Sequence, residues 1–291
     1  MTTPRTALVT GATQGLGLAL ATGLAARLAP SDRVLLTGRD AGRVEAAVAR
    51  LPERRARVEG RVLDVRDPTA IAGLAEELGG VDIVLSNATS RMSPEQDPAD
   101  EVDAVVETNN LATSHVLRAF GPRLRPGGRL VIVASALGTL DKLDPRVRPR
   151  FAAAARGTLD DVDALVEAWR ASVHAGRAVD DGFGTWLNIP SKVAQVAAVR
   201  AVAAERREAD LASGRLVLAL CPGLIDTAAS RPWFADMSSA QTPEQAASWP
   251  LDLVLADTAD TVDPAFHGEL VQFGEVLPWE TGIPVAHRAV S

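Results

Sequence analysis

Short Val- and Leu-rich runs bounded by Gly, Asp or Asn alternate along this sequence with Ala-rich stretches of helical period, and that alternation leaves few folds open. The runs Ala7–Thr10, Arg33–Thr37, Val58–Leu63, Val81–Leu85, Arg129–Ala134, Leu216–Leu220 and Leu270–Phe273 read as strands. Between them, Leu16–Leu28, Arg43–Arg50, Thr69–Leu78, Val102–Phe120 and Lys192–Ala212 space their apolar residues by three and four, as amphipathic helices do. Strand-helix repetition joined by right-handed crossovers gives an α/β fold, a doubly wound parallel sheet with helices on both faces. No second core, repeat or low-complexity linker divides the chain, so residues 1–291 are expected to form a single domain. The alternation breaks at the insert 140–185, from Leu140 to Thr185. There Pro145 and Pro149 precede a polar helical stretch, Leu159–Trp169, which Thr158 and two aspartates are suited to start. A long insert in a compact domain usually covers a surface or carries function.

With 30 Lys+Arg against 37 Asp+Glu the formal charge is −7, and no basic stripe offers itself to a phosphate backbone; nucleic acid is not an expected partner. The single cysteine, Cys221, cannot form an internal disulfide, and Met1–Thr6 lead into a short apolar segment without a secretory cleavage site, so the expected location is the cytoplasm. No apolar run approaches the roughly 20 residues that span a bilayer, and no membrane partner is expected. His115, His174, His267 and His287 lack metal-ligand spacing, and no metal site is expected. The sequence contains no tyrosine, so no phenol of its own takes part in whatever it catalyses.

Thr10-Gly-Ala-Thr-Gln-Gly-Leu-Gly17 falls where the first strand meets the first helix. Gly11, Gly15 and Gly17 permit a tight turn, close backbone approach to a pyrophosphate and close helix packing, while free N–H groups at the helix start face the anion. The spacing differs from the G-x-G-x-x-G dinucleotide fingerprint, and the glycines taken alone also fit an ordinary tight turn. The pattern T-G-x-x-x-G-x-G resembles the short-chain dehydrogenase/reductase family, and later landmarks extend the resemblance from residue 10 to 227. Asp64 in Leu63-Asp-Val65 resembles the family's acid that meets the adenine amino group. Ser86-Asn87-Ala88-Thr89 stands where the family has N-N-A-G, Asn109 resembles its buried helix asparagine, and Ser135 resembles its catalytic serine. Pro222-Gly-Leu-Ile-Asp-Thr227 resembles the loop that holds the nicotinamide amide. The resemblance implies a Rossmann-type fold with the insert placed before the active-site helix. It also implies a nicotinamide dinucleotide held by Gly11, Thr13, Gln14, Gly15, Leu16, Gly17, Asp64, Val65, Asn87, Ala88, Pro222, Gly223, Ile225 and Thr227.

After the second strand comes Leu36-Thr-Gly-Arg39-Asp40. Arg39 resembles the family's NADPH-selecting arginine, able to stack on adenine and pair with the 2′-phosphate, so NADPH is the expected cofactor. The alternative is that Arg39 and Asp40 pair with each other on the surface. Gln14 stands where many NADPH-preferring relatives carry a further basic residue. The insert and the run Arg118–Val131 resemble the monomeric carbonyl reductases, in which the insert packs over helices that other members use to form tetramers. A substrate lid is the alternative reading of the insert and is compatible with the first; a monomer is expected.

The family's proton donor is a tyrosine four residues ahead of a lysine that lowers the phenol's pKa and binds the ribose. Lys192 fits that lysine, and four residues earlier stands Asn188, which donates hydrogen bonds but has no proton to release near neutral pH. Asn188-Ile-Pro-Ser191 also fits a helix cap with Pro190 in the first turn. Ser135, Asn109, Lys192 and Asn188 are thus the expected catalytic set. Reducing an isolated ketone gives an alkoxide that needs proton delivery, a step in which general acid catalysis is worth about 10² to 10⁴ in rate. A quinone, or a carbonyl conjugated to a phenolic ring system, instead gives a delocalised anion that needs only hydrogen bonds and a nearby cation. Asp141, Asp226, His115 and water are the candidates for later protonation.

The expected activity is therefore NADPH-dependent reduction of a quinone or polyaromatic carbonyl. Such activity occurs in aromatic polyketide tailoring and so in antibiotic biosynthesis, where a separate tailoring enzyme is a candidate partner. The alternatives are a reductase of ordinary carbonyls with another proton donor, a dinucleotide-binding sensor or partner subunit, and a non-redox enzyme on the same scaffold. A serine hydrolase is excluded, because Ala134-Ser-Ala-Leu-Gly138 is not the G-x-S-x-G elbow. Within Leu224–Trp249, Trp233, Phe234, Met237 and Trp249 suit either an apolar substrate wall or ordinary packing.

Overall fold

The computed structural model describes residues 3–52, 54–256 and 263–281. Strands β1 (Thr6–Val9), β2 (Arg33–Gly38), β3 (Arg57–Val62), β4 (Val81–Ser86), β5 (Leu124–Val133), β6 (Leu216–Leu220), β7 (Leu270–Gln272) and β8 (Glu275–Leu277) form one sheet in the order β3-β2-β1-β4-β5-β6-β7-β8. Neighbours are parallel, as a doubly wound parallel sheet requires, except that the edge strand β8, which is not among the strands read from the sequence, pairs antiparallel with β7. Phe273 and Gly274 between them hold φ of +50° and +83°, the left-handed geometry of a two-residue hairpin turn. The order reverses between β1 and β4, which opens a crevice at the C-terminal ends of the strands.

Helices α1 (Gly15–Arg27), α2 (Ala41–Ala49), α3 (Pro68–Leu78), α4 (Pro98–Val105), α5 (Ala112–Phe120), α6 (Arg148–Ala154), α7 (Leu159–His174), α8 (Asn188–Ala212) and α9 (Pro243–Leu255) cover both faces. The central strands are apolar along their length because both of their faces are covered, and successive residues serve opposite cores. Leu8, Val84 and Ile132 lie with α3 to α8, while Ala7, Val9, Ile83 and Val131 lie with α1, α2 and α9. Local chemistry starts several helices: the carboxylates of Asp40, Asp67 and Asp97 accept backbone N–H groups at α2, α3 and α4, and prolines open α3 and α4.

Two helices depart from expectation. The stretch read as one helix, Val102–Phe120, begins earlier at Pro98 and is interrupted by a π-helical turn, Val106–Leu111, that contains Asn109. The long helix α8 begins at Asn188 rather than at Lys192, with Leu187 in the capping position and no side-chain cap bond. Asn188 therefore does not cap this helix, whereas Pro190 does sit in its first turn. In the insert, Thr158 and Asp161 form a reciprocal capping box on α7. α6 and α7 pack against α8, and α7 also meets α4 and the π turn. Trp169 is 1% exposed there, and Arg118 on α5 binds Asp163 on α7 at 2.8 Å. Among the described residues no helix is long and apolar enough to cross a membrane.

Candidate active site

The crevice is lined first by the glycine turn. The Thr10 hydroxyl accepts the N–H groups of Asn87 and Ala88 at 2.9 and 3.1 Å, and Asn87 Nδ2 donates to the carbonyls of Thr10 and Gly11, both at 3.2 Å. These bonds tie the end of β4 to the turn after β1. Gly11 holds φ +63°, and a Cβ there would lie 2.7 Å from the Ala88 Cα, so the two segments meet only because the side chain is absent. Leu16 and Gly17 are buried at the base of α1, Thr13 lies against Gly38, and Gln14 is exposed and makes no cap bond. The first N–H groups of α1 are thus left for a ligand. Gly15 holds φ +54°, and a Cβ there would meet only Thr227 Cγ2, at 3.9 Å, so a side chain at this position would occupy the space between α1 and the Thr227 loop.

Past β2, Asp40 is engaged as the cap of α2 through the Arg43 N–H at 2.8 Å, and Arg39 makes no ion pair among the described residues. The surface pairing of Arg39 with Asp40 is therefore not what the structure holds. Asp64, past the neighbouring β3, is bound by Arg66 in a fork at 2.6 and 3.0 Å. The hydrogen bonds from Arg66, with a further push from the charge of Arg39, hold the Asp64 carboxyl below the ordinary carboxylate range. Val65 is buried behind it. The loop after β6 is fixed by Gln241, a residue the sequence pattern did not single out: its Nε2 donates to Pro222 O at 3.3 Å, and it bridges to Ile225. Gly223 holds φ +84° in this loop, and Thr227 is tied to Ser230.

Ser135 directly follows Ala134 past the end of β5. Its Oγ accepts the Leu137 N–H at 3.2 Å, which leaves the hydroxyl proton available. The following turn lies against α8: a Cβ on Gly138 would come 3.0 Å from the Lys192 carbonyl oxygen. Trp279 Nε1 donates to Gly138 O at 2.9 Å and holds the turn from the other side. Lys192 is buried. Its Nζ donates to Val133 O at 3.3 Å and to Gln195 Oε1 at 2.8 Å. Burial pushes the ammonium down to about 8, against a small opposing pull from the Cys221 thiol, which burial itself pushes up.

Asn109, fully buried, accepts from the Thr89 hydroxyl at 3.1 Å and the Ser90 N–H at 2.8 Å, and donates to Ser191 Oγ at 3.3 Å. Its backbone carbonyl accepts from Gln195 Nε2 at 3.0 Å. Asn188 lies one turn ahead of Lys192 on α8, half-buried. The structure thus gathers Asn109 and Lys192 into one buried network, with Ser135 at the head of the turn packed against α8 and Asn188 in the first turn of α8 itself. Gln195 and Cys221 belong to the same cluster and were not foreseen. Gln195 lies three residues after Lys192, a same-face position that helical spacing could have flagged.

Two of the three side chains considered for proton delivery are held in ion pairs. Asp226 is bound by Arg231 at 2.6 Å, and Asp141 by Lys142 at 2.7 Å. His115 sits on α5 near Val65 and Asp163, its pKa lowered by burial. His267 is buried between Val217 N–H and Ala203 O, His174 pairs with Asp103, and His287 lies outside the described residues. Of the candidate apolar wall, Trp233 stacks on Trp186 at 5.4 Å and Phe234 is exposed, while Trp249 packs on the core under α9.

A doubly wound sheet with a glycine turn at the head of its first helix defines a nucleotide-binding α/β protein. Comparison gives the family: residues 5–144 match the family described as short chain dehydrogenase. The chain is also 30% identical over 287 residues to "Carbonyl reductase [NADPH] 3" of Rattus norvegicus, covering 94% of this chain and 98% of that one. The chain belongs to the short-chain dehydrogenase family. It is 28% identical over 292 residues to "Carbonyl reductase [NADPH] 1" of Sus scrofa, covering 96% of this chain and 95% of that protein. Among solved structures it shares its fold with salutaridine reductase from Papaver somniferum, at TM-score 0.72 and 19% identity over 91% of this chain and 99% of that one. It shares it also with NADPH-bound carbonyl reductase from chicken fatty liver, at TM-score 0.65 and 19% identity over 96% and 100%.

Proposed function

We propose that the chain is an NADPH-dependent oxidoreductase that passes hydride to a quinone or to a carbonyl conjugated with an aromatic ring system. One observation carries the substrate class: the sequence holds no tyrosine, and Asn188 occupies the helix position one turn ahead of a buried lysine. Family membership and the carbonyl reductase relatives support the coarser reading, reduction of a carbonyl with NADPH. The residues present fit that cofactor, since the start of α1 has no side-chain cap, a side chain at Gly15 would crowd the space beside Thr227, and Arg39 makes no ion pair among the described residues while its charge acts on Asp64. When bound, NADPH supplies the hydride.

In this reading the turn Gly11, Thr13, Gln14, Gly15, Leu16 and Gly17 holds the pyrophosphate, and Arg39 takes the 2′-phosphate. Asp64 and Val65 meet the adenine, while Asn87, Ala88 and Lys192 border the riboses. Pro222, Gly223, Ile225 and Thr227 hold the nicotinamide amide. Ser135 keeps its hydroxyl proton for the substrate oxygen, Asn188 adds N–H donors, and Lys192 adds positive charge. Such a site stabilises a delocalised anion as it forms but offers no phenol to an alkoxide. Tailoring of aromatic polyketides is a setting that supplies substrates of this kind, with a further tailoring enzyme as partner. The seat of α7 against α8 and the α4–α5 stretch supports a monomer, which light scattering at micromolar concentration checks.

The test is NADPH oxidation across a panel of quinones, aliphatic ketones and aldehydes, with and without oxygen. Quinones should exceed aliphatic ketones by about 10² or more in kcat/KM, the scale of the missing general acid. Asn188→Tyr should raise ketone reduction relative to quinone reduction. Equal turnover of both classes by the wild type would show that another donor reaches the carbonyl; tight binding without any turnover would favour a sensor. NADPH should bind at least about tenfold more tightly than NADH, and Arg39→Ala should lose that preference, because a charge-assisted pair is worth about 1.5–3 kcal/mol.

A further inference from the structure

We infer that Gln195 is a positioning residue for Lys192: its amide joins the ammonium to the Asn109 carbonyl at the π turn, fixing where the cation points and closing that side of it to proton exchange. Gln195 Oε1 accepts one ammonium N–H at 2.8 Å and Val133 O accepts a second at 3.3 Å, so of three N–H groups one is left to face a ligand. The other end of the amide is committed too. Nε2 donates to Asn109 O at 3.0 Å and to Thr113 Oγ1 at 3.1 Å, and the Thr113 hydroxyl itself donates to Asn109 O at 2.6 Å. Reversing the amide would set N–H against ammonium and oxygen against carbonyl, so the orientation is determined by its partners. Gln195 is 4% exposed and Asn109 0%, so the network is shielded from bulk solvent.

A primary amide neither gains nor loses a proton near neutral pH, so this link can hold a cation but cannot carry a proton to it. Among the described residues the titratable group that acts on Lys192 is the Cys221 thiol past β6; β5 presents the Val133 carbonyl, and the α4–α5 stretch presents the neutral Asn109 and Thr113. The sequence has two lysines, Lys142 and Lys192, among its 30 Lys+Arg. At position 192 the lysine is a cation whose charge depends on its partners, which an arginine's would not.

The inference rests on the proposed reading of Lys192 only for its consequence in catalysis, and it can be tested on the protein without cofactor. With lysine labelled at the ε-carbon and Lys142→Arg as background, a single NMR signal reports the titration of Lys192. In the wild-type site the midpoint should fall near 8. Gln195→Met, close in size and without hydrogen bonds, should lower the midpoint by about one pH unit, the scale of a hydrogen bond to a charged group. Gln195→Glu keeps the size and should raise it. Either variant, folded by circular dichroism, that titrates with the wild type overturns the inference; a merely structural glutamine would move stability and leave the midpoint in place. Fluorescence titration with NADPH separates the two readings. Shifted midpoints in a protein that does not bind NADPH sink the proposed function and leave the positioning role standing, whereas NADPH binding with unmoved midpoints does the reverse.

Discussion

Beneath α1, α2 and α9 the buried layer is aliphatic, made of Ala, Val, Leu and Ile, with no ring buried among the described residues. Across the sheet, beneath α3 to α8, Phe120, Phe151, Trp169, Phe183 and Trp279 join the aliphatic residues. Small residues let helices approach closely: a Cβ on Gly23 of α1 would strike Leu251 of α9. The second face has to fill the depth that the insert adds, and a few large rings do so, with Phe151 and Phe183 meeting edge to face at 6.4 Å. The difference teaches that the face carrying the glycine turn is held by many small contacts. The face carrying Lys192 and the insert adds a few large ones to its aliphatic layer.

Truncation of the largest ring should break this contrast most sharply. Trp169→Ala should cost about 3–5 kcal/mol in guanidinium unfolding, and Leu20→Ala on the other face about 2–5 kcal/mol. The two should differ in reach more than in size. Hydrogen exchange in the Trp169 variant should rise over α6 and α7 alone, whereas the Leu20 variant should loosen α1, α9 and the strands between. Exchange spreading into α1 and α9 after loss of Trp169 would mean that the two faces form one cooperative unit.

The next effect belongs to the aromatic face, which buries Lys192. Its folded pKa of about 8 lies below the 10.5 of an ordinary lysine, so between these values the unfolded chain binds a proton that the folded chain has lost. This group therefore adds stability as pH rises from about 8 to 10.5, on the order of 3 kcal/mol in all. Cys221, whose thiol burial pushes up, acts in the opposite sense above its unfolded value of 9.0. In Cys221→Ala the rise should be seen alone, and adding Lys192→Met should flatten it. Activity should run the other way and fall through pH 8 as the ammonium discharges.

The smallest difference is expected where both faces use the same local device. Capping boxes start α7 (Thr158 with Asp161) and α9 (Thr242 with Gln245). Thr158→Ala and Thr242→Ala should each cost about 1 kcal/mol, because a cap acts within one turn whatever core lies beneath it. A cost several times larger for Thr158 would show that the cap anchors the insert as a whole.

Much of this architecture can be read from the chain. β1, β2, β4 and β6 appear as apolar runs within a residue or two of their ends, because burial on both faces demands apolar residues at every position. The start of α9 is also written locally, in Thr242-Pro-Glu-Gln245, although within Leu224–Trp249 the large apolar residues read as a substrate wall or ordinary packing and no helix is expected there. β8 escaped because three residues carry no period, and only the backbone at Phe273 and Gly274 turns it back. In the candidate site, Ser135, Asn109, Asn188 and Lys192 were legible as a pattern, as was the absence of tyrosine. Their contacts were not.

Elements, the glycine turn and the spacing from Asn188 to Lys192 follow from residues within a turn or two of one another, where steric and hydrogen-bonding preferences are short-ranged. The partners of the buried polar groups follow from packing across the whole fold. Gln195 meets the Asn109 carbonyl across 86 residues of sequence, and Trp279 meets Gly138 across 141. No local preference encodes such pairs; where a buried amide or indole N–H is satisfied, its acceptor comes from whatever surface the folded chain brings against it.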